Sequence, residues 1–322
     1  MSSISPSTRP PTEPPKGLFD DIGDDLHAAA QEFVGTTTFL TLAFGGVQAS
    51  AAEAASAGAT VGTSVTRIEY IAFSFGFSLL VSAWLFFRVT GGLFNPNVSL
   101  ALLLTGIIGP VRFVLYCIAQ LAGGIAAAGL ILALTPGPLA SNTVLGPGIN
   151  PAQGVFIEAF ITACLCLSVL MLAVEKHIAT PFAPVGIGLT MFVCHLFAIY
   201  FTGAGMNTAR SFGPAVVTGF PDGTQWVYWV GPFLGALFAA CFYGILKHFR
   251  YWKLNPGQDV IDANQSPPDP IEVLRVRRQS VSQRRNESPA PQVGGKQRQS
   301  VVSSTAPSAS SGERLRPNDS AV

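Results

Sequence analysis

Gly91-Gly92-Leu93-Phe94-Asn95-Pro96-Asn97 and Gly203-Ala204-Gly205-Met206-Asn207-Thr208-Ala209-Arg210 decide how this chain folds. In each, a Gly stands four residues before an Asn (95 − 91, 207 − 203), and the Asn opens an apolar stretch too short to cross a bilayer. The surroundings repeat too. Gln120 and Pro232 each lie 25 residues beyond their Asn (120 − 95, 232 − 207), and Gly123 and Gly235 each lie 28 beyond (123 − 95, 235 − 207). A register kept over that distance marks one device used twice.

The composition places both copies in a membrane. Of 322 residues, 49% are hydrophobic and 11% charged, too apolar and too charge-poor for the surface of a soluble domain. A formal net charge of +1 gives no field that would gather nucleic acid. Cys117, Cys164, Cys166, Cys194 and Cys241 fall inside apolar stretches without metal-ligand spacing, and read as small packing residues.

Hydropathy gives six stretches near the 20 residues a span needs: 27–49, 67–88, 111–134, 154–175, 182–202 and 226–249. The expected channel body is 27–252, with one repeat at about 27–134 and a second at about 154–252. The tract 1–26 is rich in Pro and Ser and then acidic, and lacks the order of a cleavable signal. Residues 253–322 carry Pro, Ser, Gln and Arg with little apolar content, so both tails are expected to be disordered. Arg88, Arg112, Lys176, Lys247, Arg250 and Lys253 gather on one side, whereas 136–153 on the other carries no charge. The positive-inside rule then puts both termini in the cytoplasm. With an odd number of spans in each half, the halves are inverted relative to each other.

Backbone that dips into hydrocarbon without spanning survives only where it lines a cavity or is buried in protein. Two such segments that meet imply a pore. Asn suits their tips because its side-chain oxygen caps the following helix while its NH₂ remains a donor toward the lumen. Two half-helices meeting N-terminus to N-terminus also aim two positive dipole ends at one place, which repels cations and holds neutral acceptors.

These residues resemble the aquaporins, also called major intrinsic proteins. The resemblance covers about 27–252 and rests on the two Asn boxes, Arg210-Ser211-Phe212-Gly213, Glu32 and Glu158 early in the first and fourth spans, and Trp229-Val230-Gly231-Pro232. It implies an all-α integral membrane fold of six transmembrane helices plus two re-entrant half-helices in an inverted repeat. It also implies a homotetramer with one pore per subunit. No cofactor, metal or catalytic role is implied, and no paired base accompanies any Ser or Cys. Asn95, Asn97 and Asn207 are placed at the pore midplane, Phe75, His195, Ala204 and Arg210 at an outer selectivity filter, and Glu32 and Glu158 as acceptors supporting the half-helices. Ser211, Ala215, Tyr228 and Trp229 resemble the water-selective branch.

Both boxes depart from the family's Asn-Pro-Ala: Asn97 replaces Ala in the first and Thr208 replaces Pro in the second, and the Asn97 amide is expected either to bond across to the other half-helix or to narrow the lumen. A literal Asn150-Pro151-Ala152 lies outside the register, just before the fourth span, and is set aside. Three functions follow as alternatives: a water channel, a glycerol or small-solute facilitator, and a non-conducting membrane organiser should Asn97 plug the lumen. The Ser-, Pro- and Gln-rich flanks suggest a fungal member, with the plasma membrane as its site.

Between 275 and 298 the C-terminal tail holds seven basic residues against one acid, Glu287, and Ser280 follows Arg277-Arg278-Gln279 in a pattern that suits a basophilic kinase. Each basic residue near an anionic leaflet gains about 1 kcal/mol, and each phosphate adds about −1.5 to −2 charge. Phosphorylation of Ser280 and Ser300 is therefore expected to release a membrane-held tail. Comparing the full chain, a 27–252 form and Ser280→Glu should show different liposome water flux and weaker binding of the Glu-bearing tail to anionic vesicles. Equal flux in all three without lipid binding would make the tail an inert linker.

Overall fold

In a computed structural model the described residues are 19–56, 64–258 and positions 275, 276, 278 and 279. They form two units that divide between Asp262 and Ala263. Of the second unit, only the helical pairs 275–276 and 278–279 are described, and Ser280 and Ser300 lie outside the described residues.

Among the described residues of the first unit the α-helices are α1 (Ile22–Ser56), α2 (Val65–Phe86), α3 (Pro96–Leu104), α4 (Pro110–Leu134), α5 (Pro151–Val169), α6 (Ala183–Thr202), α7 (Thr208–Thr218) and α8 (Val227–His248). α1 begins within the tract expected to be tail and continues past 49. Among the described residues, five helical segments are long and apolar enough to cross a bilayer: α2, α4, α5 with the π-helical turn that follows it, α6 with the 3-10 turn before it, and α8. α1 is long enough at 35 residues, but Gln31, Glu32, Thr36, Thr37, Thr38, Thr41 and Gln48 make it less apolar. Glu32, Thr36 and Gln48 are buried, so this polarity faces the interior of the bundle.

α3 and α7 are the short elements. Their nine and 11 residues reach only about 14 and about 17 Å along the axis, roughly half of a hydrocarbon core of about 30 Å. Exchanging the halves pairs α1 with α5, α2 with α6, α3 with α7 and α4 with α8. That exchange maps the α1–α4 packing onto α5–α8, α1–α2 onto α5–α6 and α3–α8 onto α4–α7, and all six contacts are present. Each half-helix thus leans on the last long helix of the opposite repeat. Asn150 belongs to none of this: it caps the long helix α5 through a reciprocal bond pair with Gln153.

The repeated glycines mark where helices touch. A Cβ on Gly123 would meet Thr36 Cβ of α1 at 2.9 Å, and one on Gly235 would meet Ala159 O of α5 at 2.5 Å. α7 approaches α4 more closely, since a Cβ on Gly213 would stand 2.2 Å from Gly124 O. On the charged face, Glu175 accepts from the Tyr243 and Tyr251 hydroxyls and from Lys247 Nζ, joining the end of α5 to the root of the C-terminal tail. Burial raises the pKa of this carboxyl, but those hydrogen bonds and the Lys247 charge outweigh it and hold it below the usual range.

Gly213→Ala should cost about 1–3 kcal/mol by forcing α7 off α4, whereas Gly129→Ala, with nothing within 4 Å of the new methyl, should be neutral or slightly stabilising. Thermal unfolding of the two purified variants in detergent checks this.

Candidate functional site

The site is built on a strained backbone. Phe94 and Met206, each just before an Asn, have φ of 50° and 52°, and Ala204 also has φ of 52°. Left-handed conformations cost a non-glycine residue of order 1–3 kcal/mol, so something must hold them. That turn aims successive N–H groups at one point, a nest suited to an anion. Leu93 N and Phe94 N donate to Glu32 at 3.2 and 2.8 Å. Gly205 N and Met206 N donate to Glu158 at 2.9 and 2.8 Å. Both carboxylates are fully buried, as befits acceptors that satisfy loop backbone.

Two residues not foreseen from the sequence complete the nests, one in each. Thr90 Oγ1 donates to Glu32 and accepts from Gly92 N, and Thr202 Oγ1 donates to Glu158 and accepts from Ala204 N. Both threonines stand five residues before their Asn (95 − 90, 207 − 202), so the register that gave Gln120 also held this signal. Gln120 Nε2 adds a further bond to Glu32 at 2.9 Å. The second repeat has Pro232 in that place, within α8.

The Asn residues then act as caps on both sides of the midplane. Asn95 Oδ1 accepts from Asn97 N at 2.9 Å, and Asn207 Oδ1 accepts from Ala209 N at 2.9 Å and Arg210 N at 3.3 Å. The NH₂ groups cross over: Asn95 Nδ2 donates to Met206 O at 2.9 Å and Asn207 Nδ2 donates to Phe94 O at 2.8 Å. An amide NH₂ has two hydrogens, so each keeps one for the cavity that both residues line. Gly91, Gly92, Leu93, Leu79, Val98, Leu165 and Met191 are among the other walls of that cavity. Asn97 is not among its lining residues. Its amide donates to Thr208 Oγ1 at 3.0 Å, across to the other half-helix, and to Asn95 Oδ1 at 3.3 Å.

Phe75, His195 and Arg210 meet toward the uncharged 136–153 connection, the side that the charge asymmetry makes the expected outer one. The Phe75 and His195 rings stack with centroids 4.3 Å apart at 22°, and the Arg210 guanidinium lies 4.9 Å over the Phe75 ring. Arg210 donates to Ser141 O at 2.7 Å and Gly203 O at 3.2 Å, and Ser141 was not foreseen because it lies in an irregular connection without a motif. His195 Nδ1 faces Met191 O at 3.0 Å, which requires the proton on Nδ1 and leaves Nε2 as an acceptor in the neutral ring. Among the described residues His195 Nε2 and Arg210 Nε are buried without partners, one acceptor and one donor. Ala204 is fully buried in the second loop, next in the chain to Gly203, whose carbonyl accepts from Arg210. A separate outer cavity is lined by Arg67, Ser141, Asn142, Gly203 and Arg210.

Of the four branch residues, Ser211 and Tyr228 come together behind the second loop, where a Cβ on Gly205 would meet both. The Tyr228 hydroxyl donates to Thr202 O at 2.6 Å. Ala215 is buried in α7, and Trp229 stands 40% exposed on the outer wall against Phe212.

Residues 23–243 match the family model described as Major intrinsic protein. The chain belongs to this family. It is 60% identical over 258 residues to Aquaporin-1 of Laccaria bicolor, covering 80% of this chain and 83% of that one. It is 47% identical over 228 residues to Aquaporin-1 of Gibberella zeae, covering 71% of each. Both relatives are fungal, in keeping with the flanking composition. Among solved structures, the aquaglyceroporin from Plasmodium falciparum superposes with a TM-score of 0.58 at 20% identity, over 68% of this chain and 95% of that one, and shares the fold. The chain is therefore an integral membrane channel protein of the aquaporin family and not an enzyme.

Thr90→Val and Thr202→Val should each destabilise the protein by about 1.5–3 kcal/mol, the usual loss for a hydrogen bond to a charged group. The corresponding Ser variants should lose far less. Thermal unfolding followed by tryptophan fluorescence distinguishes them.

Proposed function

We propose that the chain is a passive water channel that excludes glycerol, ions and protons, works as a homotetramer, and sits in the plasma membrane with both termini cytoplasmic. The stacked Phe75–His195 pair beside Arg210 carries the water reading. A filter closed on one side by two rings in van der Waals contact leaves room for a small permeant that can donate to His195 Nε2 and accept from Arg210 Nε at once. Water does both. Glycerol would have to fit a carbon backbone alongside its hydroxyls.

Inside the filter, the apolar walls contributed by Leu79, Val98, Leu165, Val169, Ile187 and Met191 offer water no side-chain partner. At the midplane the free Asn95 and Asn207 N–H groups supply donors only, so a passing water presents its oxygen to them. The tie of Asn97 to Thr208 speaks against a plugged lumen and favours conduction over the organiser role. The positive-inside asymmetry supports the orientation. The family resemblance supports the tetramer, and a kinase acting on Ser280 and Ser300 remains the proposed regulator.

In proteoliposomes the protein should speed osmotic shrinkage without glycerol uptake, and His195→Ala combined with Arg210→Ala should admit glycerol. Glycerol exclusion unchanged in the double variant would place selectivity elsewhere, and glycerol flux through the native protein would favour the facilitator.

A further inference from the structure

The two departures from Asn-Pro-Ala touch each other. Asn97 Nδ2 donates to Thr208 Oγ1 at 3.0 Å, and Thr208 Oγ1 passes a hydrogen bond to Tyr228 O at 3.2 Å, so the chain of contacts runs from α3 through the tip of α7 into α8. Asn97 is 5% exposed and Thr208 3%, which keeps the bond from competing water. The repeat symmetry sharpens the point. Asn97 lies two after Asn95, as Ala209 lies two after Asn207, and Thr208 lies one after Asn207, as Pro96 lies one after Asn95. The pseudo-twofold therefore maps Asn97–Thr208 onto Ala209–Pro96, so the polar residues occupy both ends of one symmetry-related pair and neither end of the other. Two unrelated drifts would not have to land on the same contact.

We infer that Asn97 and Thr208 form a single positioning pair, a lock between the two half-helix tips that fixes where the Asn95 amide points, without either residue serving the permeant directly. The coupling runs through Asn95 Oδ1, which accepts from both Asn97 N at 2.9 Å and Asn97 Nδ2 at 3.3 Å. With its acceptor on Thr208 removed, the buried Asn97 NH₂ has only Asn95 Oδ1 left. It would draw that oxygen from the cap and turn the N–H that Asn95 offers the lumen. Removing Asn97 is milder, because Thr208 keeps Tyr228 O and Asn95 keeps its cap bond.

The inference uses the water-channel reading for its first readout, so the test carries a second readout that does not. Thr208→Val, Thr208→Ser, Asn97→Ala and Asn97→Ala/Thr208→Val are made in the full chain. Each is measured for water permeability per reconstituted channel and its temperature dependence, and for the thermal unfolding midpoint in detergent. Thr208→Val should lower permeability about threefold or more and raise the activation energy, as a buried donor without a partner predicts. Thr208→Ser should stay near the native value, and adding Asn97→Ala to Thr208→Val should recover most of the loss, with matching non-additivity in the unfolding midpoints. A Thr208→Val loss left untouched by Asn97→Ala would overturn the lock and assign the effect to the Tyr228 bond. So would a Thr208→Val channel that behaves as native, or a Thr208→Ser channel as impaired as the Val variant. If the native protein conducts no water, the water-channel reading fails and the unfolding midpoints alone decide the lock: additive midpoints overturn it and non-additive ones uphold it.

Discussion

A carboxylate buried under a nest of backbone N–H groups is the contact on which the rest depends. The loops before Asn95 and Asn207 must reverse direction inside the hydrocarbon layer, where no water can serve the freed peptide groups. They do so through residues at positive φ, including Phe94, Ala204 and Met206. Glu32 and Glu158 each collect two backbone N–H groups and a threonine hydroxyl, which both satisfies those donors and holds the strained turn. The half-helices, their caps and the midplane amides inherit their positions from that point. A buried acid in a membrane is often a proton carrier. Here all the bonds that reach these two come from elements that must not move, which suits a structural role.

The repeat is strict in its frame and relaxed at its centre. Helix pairings, carboxylate nests and crossed amide bonds follow the twofold closely, because they solve the same problem of closing a half-span in each half. Gln120 supports the first nest, whereas Pro232 has no side-chain donor to offer the second. Arg210, present in one half only, brings its charge near Glu158 and binds carbonyls of the outer connection. Symmetry thus ends where the two faces of the membrane need different chemistry.

Much of this was legible in the chain. The register around Asn95 and Asn207 located the half-helices and the glycines of the helix crossings, and the resemblance pointed to both carboxylates, since each answers a steric or hydrogen-bonding demand that only a few residue types meet. Phe75, His195 and Arg210 followed from the resemblance, and the structure brings them into contact. Other features were hidden. α1 reads as an ordinary span, although it starts at Ile22 and carries more inward polarity than the other long helices. Thr90 and Thr202 were missed because threonine is common in apolar helices and its hydroxyl usually turns back on its own turn. Ser141 acts through its backbone carbonyl, which any residue possesses, so no pattern of side chains could reveal it. The direction of the Asn97 amide depends on a partner 111 positions away, a contact set by the meeting of the two halves.

In the water channel proposed for this chain, the midplane and the filter would exclude different things. At the midplane, the half-helix tips each bring an effective charge of about +0.5 at their N-terminal end. At a separation of about 5 Å and an effective dielectric of about 20, each repels a monovalent cation by about 1.7 kcal/mol, and the two together by about 3 kcal/mol. That depletes cations there on the order of a hundredfold, before the cost of shedding their hydration is added. Water is favoured by the same field, since its oxygen meets the two remaining amide N–H groups, but it is also turned by it. A molecule held oxygen-first between two donors cannot accept a proton from a neighbour, and the apolar walls beyond supply no other acceptor. The filter, by contrast, offers an acceptor and a donor and so leaves water free to turn, while its stacked rings limit width. On the proposed reading, charge and proton selectivity would therefore belong to the paired half-helices and size selectivity to Phe75, His195 and Arg210, so that a change at one constriction need not relax the other.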